Sequence, residues 1–290
     1  MHAPVELAIV SVGTSDPLTE LRGELERRLS DGSLELPLLP GVAMEVTSAA
    51  AREDTDARVL ADILKRDAAM AAHVLRVVNS PVYSPRAQIV SLQQAVGRVG
   101  SAKIREIALI IACRAGVFKV KGYEAEVDQV FKHSVATALF AQEIARQTRN
   151  NVEEAFLCGL LHDVGRPVLL QALLEAARQR SSSATREELL GLVSEIHCRG
   201  GAALAAAWTL PDSVAQAIAN HHSPGSEHAA SVHITALADV LAHALLDAPE
   251  LDPAAVRGHV ALTKLEIYPD VLSKILARAE GVRQAAEVLS

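Results

Sequence analysis

An all-α, two-lobed helical fold is predicted by three observations. Aromatic residues make up only 3% of the 290-residue chain, half of the residues are apolar, and turn residues separate periodic stretches of helix rather than strand length. Ala, Leu, Val, Glu and Arg dominate, which suits helices packed through small side chains.

Residues 1–34 are expected to be an appendage. They comprise the apolar stretch Leu7 to Val12, the turn-like Gly13-Thr14-Ser15-Asp16-Pro17, and a charged helix from about Leu18 to Leu29 closed by Asp31-Gly32. Leu18, Leu21, Leu25 and Leu29 share one face, a stripe suited to packing on the main domain, with partner binding as the alternative. No basic segment precedes Leu7 to Val12, so the stretch does not read as a secretory signal.

The main domain is expected over residues 35–250, as lobes 35–121 and 122–250. In the first, Pro37 and Pro40 bracket the start, and Asp56 caps a helix through Lys65. Asp67 caps another through Val78, ended by Asn79-Ser80-Pro81. After the turn Tyr83-Ser84-Pro85-Arg86, Ser91 opens a short helix that Gly100-Ser101 breaks, and Ala102 to Phe118 forms a longer apolar one. In the second lobe helices are expected at about 124–149, 152–161, 167–180, 185–208, 211–220 and 231–246. Helices 253–262 and 269–288 make a C-terminal segment, 251–290, packing on the main domain. Proline recurs at first helical positions, where its missing N–H costs nothing.

A formal net charge of −7 argues against direct DNA binding, which needs clustered Lys and Arg. Cys113, Cys158 and Cys198 are odd in number, widely spaced and set among apolar or small residues, and read as reduced core thiols. The apolar run Ile107 to Ala112 falls far short of a membrane span. A cytoplasmic protein without a membrane segment is the expectation.

The chemistry is concentrated in the second half. His133 lies on a long helix, His162-Asp163 closes an apolar run, His197 lies inside another helix, His221-His222 ends the next, and Asp239 follows in a later one. A single His-Asp pair carries little weight. Seven such groups from five helices with mostly apolar neighbours are costly to bury unless something pairs them, and a divalent cation does so. Mixed imidazole and carboxylate ligands suit Fe, Mn, Ni, Co or Zn rather than Ca. Gly165 supplies a break that would let His162 and Asp163 face one centre.

Several segments resemble the HDOD family of bacterial signalling proteins, the "HD-related output domain". In the first half these are Leu36-Pro37-Leu38-Leu39-Pro40, Ile63 through Ser80 and Ile89 through Val96 with Val99-Gly100. The second half adds His133-Ser134, Gly159-Leu160-Leu161-His162-Asp163-Val164-Gly165, Trp208-Thr209-Leu210-Pro211 and His221-His222-Ser223-Pro224. The likeness spans roughly residues 35 to 245. It implies a second lobe related to HD-superfamily metal-dependent phosphohydrolases, and a regulatory role exercised by binding. It also implies metal ligation at His133, His162, Asp163, His197, His221 and Asp239, with His222 supporting a second ion. Departures accompany it: Arg166 stands where HD-GYP enzymes carry Lys, and Gln129 stands where an acidic residue precedes His133 by four positions. Ser223-Pro224-Gly225 replaces the GYP signature, which argues against cyclic di-GMP hydrolysis.

Two functions are therefore weighed. The first is a regulatory output module, monomer or homodimer, binding a signalling protein partner or a nucleotide. The alternative is an active metal-dependent phosphohydrolase on a small nucleotide, in which Asp163 orients a water while Arg166, with Lys132, offsets phosphate charge. Di-iron oxygenation needs more ligands than the sequence assigns. The remaining residues read structurally: His73 as core or lobe interface, His228, His233, His243 and His259 as surface or interface, Trp208 as an anchor, Lys119 and Lys121 as solvated linker.

Overall fold

The computed structural model describes residues 16–38, 41, 45, 57–83, 87–248 and 251–290, and among them there is no strand. The Leu7 to Val12 stretch, most of the turn before Pro17, Pro40, the Asp56 cap and Ser84-Pro85-Arg86 lie outside the described residues.

The first lobe contains α2 (Ala57–Leu64), α3 (Ala68–Val78), α4 (Leu92–Val99) and α5 (Ser101–Gly116). Asp67 and Ser91 cap α3 and α4 by accepting from the backbone N–H of Met70 and Gln94. Asn79 clamps the turn that follows α3. Its Nδ2 donates to Leu75 O and Ile89 O, and its Oδ1 accepts from Ile89 N, all at 2.8 Å. Asn79→Ala removes three bonds and strands half-buried backbone groups, so about 2 kcal/mol of stability should be lost in urea unfolding, with the m-value unchanged.

The second lobe contains α6 (Glu124–Gln147), α7 (Val152–Leu161), α8 (Gly165–Arg180), α9 (Arg186–Ala207), α10 (Asp212–Asn220) and α11 (Ala230–Asp247). Helices α6 and α7 cross so closely that a Cβ on Gly159 would lie 2.7 Å from Ala138 Cα. Ala136, Ala138 and Ala141 on α6 are fully buried, giving the small-residue packing that the composition implied. Asn151 caps α7, and a full capping box of Thr185 and Glu188 starts α9.

Helix α1 (Pro17–Asp31) lays Leu21 and Leu25 against α8 and α9, so its apolar stripe is spent on packing. Trp208 Nε1 donates to Pro37 O at 2.8 Å and ties the 33–38 segment to the end of α9. Past α11 the two helices expected at 253–262 and 269–288 are each interrupted. The first is a 3₁₀ turn, Pro253–Val256, followed by α12 (Val260–Lys264), because Gly258 at φ 78° ends the turn. The second is α13 (Pro269–Leu276) and α14 (Ala279–Leu289), separated where Arg278 N–H bonds to Ile275 O instead of continuing the α pattern. Helix α14 packs on α6 and also touches α5 and α11.

Three other boundaries shift. Helix α6 ends at Gln147, because Arg149 turns left-handed at φ 58°. Pro167 is the third residue of α8 and Pro211 the cap of α10, so among the described residues Pro opens the first turn only at Pro17, Pro253 and Pro269. Gly165 is no left-handed break, and α8 begins at Gly165 after a three-residue turn. Its glycine is required by contact: a Cβ there would sit 2.0 Å from His197 O and 2.5 Å from Gly201 N. Two stretches, Val152–Arg180 and Ala230–Asp247, are long and apolar enough to cross a membrane by length and composition. Their most apolar 18-residue windows are 78% and 67% buried within the protein, where that apolarity forms the core around the histidines.

Candidate metal centre

His133 projects from the middle of α6, His162 caps the end of α7, and Asp163 occupies the turn before α8. His197 lies within α9, His221 caps α10 with His222 next to it, and Asp239 lies on α11. The fold brings all seven together around Asp163. His133, His162, His197, His221, Asp163 and Asp239 are buried, and only His222 is half-exposed.

The backbone fixes the ring orientations. Nδ1–H of His162 donates to Gly159 O at 2.8 Å, that of His197 to Ser194 O at 2.7 Å, and that of His221 to Ile218 O at 2.9 Å. Each Nε2 is thereby turned toward the centre as a potential ligand. On one side, His133 Nε2 lies 2.8 Å from Asp239 Oδ1 and 3.2 Å from His162 Nε2, which is 3.6 Å from Asp163 Oδ2. On the other, Asp163 Oδ1 lies 3.1 Å from His197 Nε2 and 3.8 Å from His221 Nε2. Asp163 thus offers one oxygen to each group of histidines.

Among the described residues, Asp163 Oδ1 has no partner in hydrogen-bond alignment although it is buried. An oxygen lone pair facing inward nitrogens needs a cation between them, either a proton or a metal ion. Without metal, protons supply it. For His162 burial opposes the charge, but Asp163 and Asp239 hold its proton and raise its pKa. For His197 burial again opposes, yet the Asp163 carboxylate beside it pushes the pKa up to about 9. His221 is pushed down to about 3 by burial and by the positive charge that His162 and His222 carry when protonated. Both carboxylates are held below the usual range: burial resists, but His162 and His197 at Asp163 and His133 and His162 at Asp239 prevail.

His197's pKa is raised on folding, so in the metal-free protein its contribution is complete below about pH 6.5 and lost as pH rises through about 9. A metal ion must displace that proton. Titrating Co²⁺ into metal-free protein at pH 8 in weak buffer should therefore acidify the solution by at least about one proton, with the share from His197 falling toward zero above pH 9. A pH indicator reads it directly.

Arg166 Nε donates to Asp163 Oδ2 at 2.7 Å and its Nη1 to Ser194 Oγ at 3.1 Å, so it steers the carboxylate from the rim. A cleft of about 670 Å³ opens onto the centre, lined by His133, Asp163 and His243 and by Arg166, Lys132 and Gln129. Lys132 also pairs with Glu287 of α14.

The sequence reading missed two residues. His243 is not a bystander: it stacks on His133 with centroids 4.0 Å apart and places Nε2 3.4 Å from Asp239 Oδ1. Its spacing of four from Asp239 on one helix put it on the same face. Cys198 is no core thiol but half-buried, with Sγ 3.4 Å from His197 Nε2. Cys113 and Cys158 are buried, and burial pushes each thiol up to about 12. His233 is likewise not at the surface: it is 2% exposed, and neither ring nitrogen has a hydrogen-bond partner.

An all-helical bundle around an HD pair defines an HD-type domain. The sequence profile of the HDOD domain matches residues 36–224, and the chain belongs to that family. An uncharacterized protein of Treponema pallidum (strain Nichols) is 26% identical over 213 residues, 71% of this chain; the chain spans 40% of that relative's length. Among solved structures, an HDOD domain protein with unknown function from Geobacter sulfurreducens superposes with a TM-score of 0.69 at 24% identity, over 94% of this chain and 99% of that one. A Shewanella amazonensis SB2B protein, named provisionally as a metal-dependent phosphohydrolase, matches with a TM-score of 0.67 at 23% identity over 93% and 99%. A Marinobacter aquaeolei VT8 protein, named provisionally for signal transduction, gives 0.63 at 21% over 98% and 69%. At these identities the structural matches establish the shared fold.

Proposed function

We propose that this chain is a regulatory signalling module whose second lobe holds divalent transition metal, Fe, Mn, Ni, Co or Zn, and recognises a nucleotide or a signalling partner there. The carrying observation is the cleft of about 670 Å³ whose lining includes His133, Asp163 and His243 of the ligand cluster together with Arg166 and Lys132. Its size suits a nucleotide-sized ligand. Bound metal would supply positive charge for a phosphoryl group and lower the pKa of a coordinated water. Arg166, anchored through Nε on Asp163, keeps donors for a phosphate oxygen, while Lys132 adds charge at the mouth.

A second reading, hydrolysis of a small phosphate ester, is favoured by the completeness of the ligand set and by the unpartnered Asp163 Oδ1 within it. The provisional names of the Shewanella and Marinobacter structures are compatible with one reading each. Thermal-shift titration of Mn²⁺- or Co²⁺-loaded protein with a nucleotide panel, with phosphate release followed in parallel, separates them. Binding that is weakened at least roughly tenfold by Arg166→Ala, without turnover, supports the regulatory reading. Turnover lost in His162→Ala supports hydrolysis, and neither binding nor turnover across the panel refutes nucleotide recognition.

A further inference from the structure

We propose that Cys198 is a thiolate ligand, completing a site of three imidazoles and one sulfur with His197, His221 and His222. The proposal rests on the reading that the cluster holds metal, and adds to it a soft donor in the second site. His197 and Cys198 are consecutive on α9, and His221 and His222 are consecutive at the end of α10, so two neighbouring helices each contribute a pair. One ligand atom from each of the four falls within 4.8 Å of every other.

The three separations measured from His197 are close to an ion's requirements. Tetrahedral Zn²⁺ or Co²⁺ with nitrogen at about 2.0–2.1 Å and sulfur at about 2.3 Å needs N···N edges of about 3.3–3.4 Å and N···S edges of about 3.6 Å. His197 Nε2 lies 3.4 Å from His221 Nε2, 3.1 Å from His222 Nε2 and 3.4 Å from Cys198 Sγ. Two of the rings have Nδ1 committed to backbone carbonyls, leaving Nε2 for the ion. Independently of the cysteine, the buried Asp163 Oδ1, which no donor meets in hydrogen-bond alignment, lies on the same side, 3.1 Å from His197 Nε2 and 3.8 Å from His221 Nε2.

Sulfur alters the site's chemistry. A thiolate favours Zn²⁺, Fe²⁺ or Co²⁺ over Mn²⁺ and Mg²⁺, which prefer oxygen. The two other groups, His133 with His162 and Asp163 and His133 with Asp239 and His243, have only imidazole and carboxylate donors. The two sides of Asp163 therefore differ in the metals they select.

Co²⁺ titration into reduced, metal-free full-length protein reads both levels at once. Visible d–d bands report binding to the cluster as such, whereas a near-ultraviolet sulfur-to-cobalt charge-transfer band reports a thiolate ligand. The expected result is both bands in the unaltered protein and in Cys113→Ser. In Cys198→Ser the charge-transfer band is lost, the d–d bands persist, and Co²⁺ affinity in that site falls at least roughly tenfold. Unaltered far-ultraviolet circular dichroism checks folding of Cys198→Ser, and Cys198→Ala provides a second variant. Visible bands without charge transfer in the unaltered protein overturn the thiolate while leaving the metal centre standing. Retention of the charge-transfer band in both Cys198 variants also overturns it. No cobalt bands at all overturn the thiolate and the metal reading together.

Discussion

Replacing Gly165 with alanine should cost about 3 kcal/mol of stability, roughly 6–10 °C in melting temperature, and should also cost the protein part of its metal affinity. The new methyl would lie 2.0 Å from His197 O and 2.5 Å from Gly201 N. Both are backbone atoms of α9, so no side chain can swing aside, and α9 must move away from α8. His197 rides on the displaced turn, and its Nε2 leaves Asp163. Gly191, on the same helix, provides the control: nothing lies within 4 Å of its added Cβ, and Gly191→Ala should be stabilising by about 0.5–1 kcal/mol. Thermal melts of the three proteins, with and without Co²⁺, test the claim. A Gly165→Ala protein as stable as its parent would mean that α8 and α9 are not held at this distance.

Asp163→Asn should lower bound divalent metal at least tenfold, more than loss of any single histidine. Asp163 places one oxygen toward His162 and the other toward His197, so the amide removes negative charge from both sides at once. It also takes the charged partner from Arg166. Without metal, His162 and His197 lose the carboxylate that sustains their protonation, so both pKa values should fall, and histidine NMR titration will show it. His222→Ala should have a smaller effect than Asp163→Asn, because it removes one neutral imidazole from the His197 side alone, where its Nε2 lies 3.1 Å from His197 Nε2.

Much of this architecture is legible in the sequence, and the reasons can be assigned to residues. Asp67, Ser91 and Thr185 announce helix starts because their side chains bond to backbone N–H groups three residues on, a purely local effect. The histidines drew notice because ionisable groups in apolar surroundings are costly without a partner. What escaped was decided by tertiary contact. Gly165 looks like a conformational break, and only the approach of His197 and Gly201 from another helix reveals that its role is spatial. His243 is one of several late histidines in sequence, and stacking on His133 sets it apart. Cys198 resembled Cys113 and Cys158 because all three sit among small or apolar neighbours, but its helix face turns it toward His221 and His222. The interruption between α13 and α14 carries neither Pro nor Gly at Ala277 or Arg278, so no local signal marked it.

The most direct test is metal analysis of the full chain purified without chelator, beside His162→Ala prepared identically. The expected result is near-stoichiometric Fe, Mn, Ni, Co or Zn in the parent protein and a loss of most of it in the variant, with unchanged helical circular dichroism. Metal-free parent protein that also fails to take up any of these ions on titration at pH 8 would contradict the account: protons alone would then occupy the space between Asp163 and its histidines.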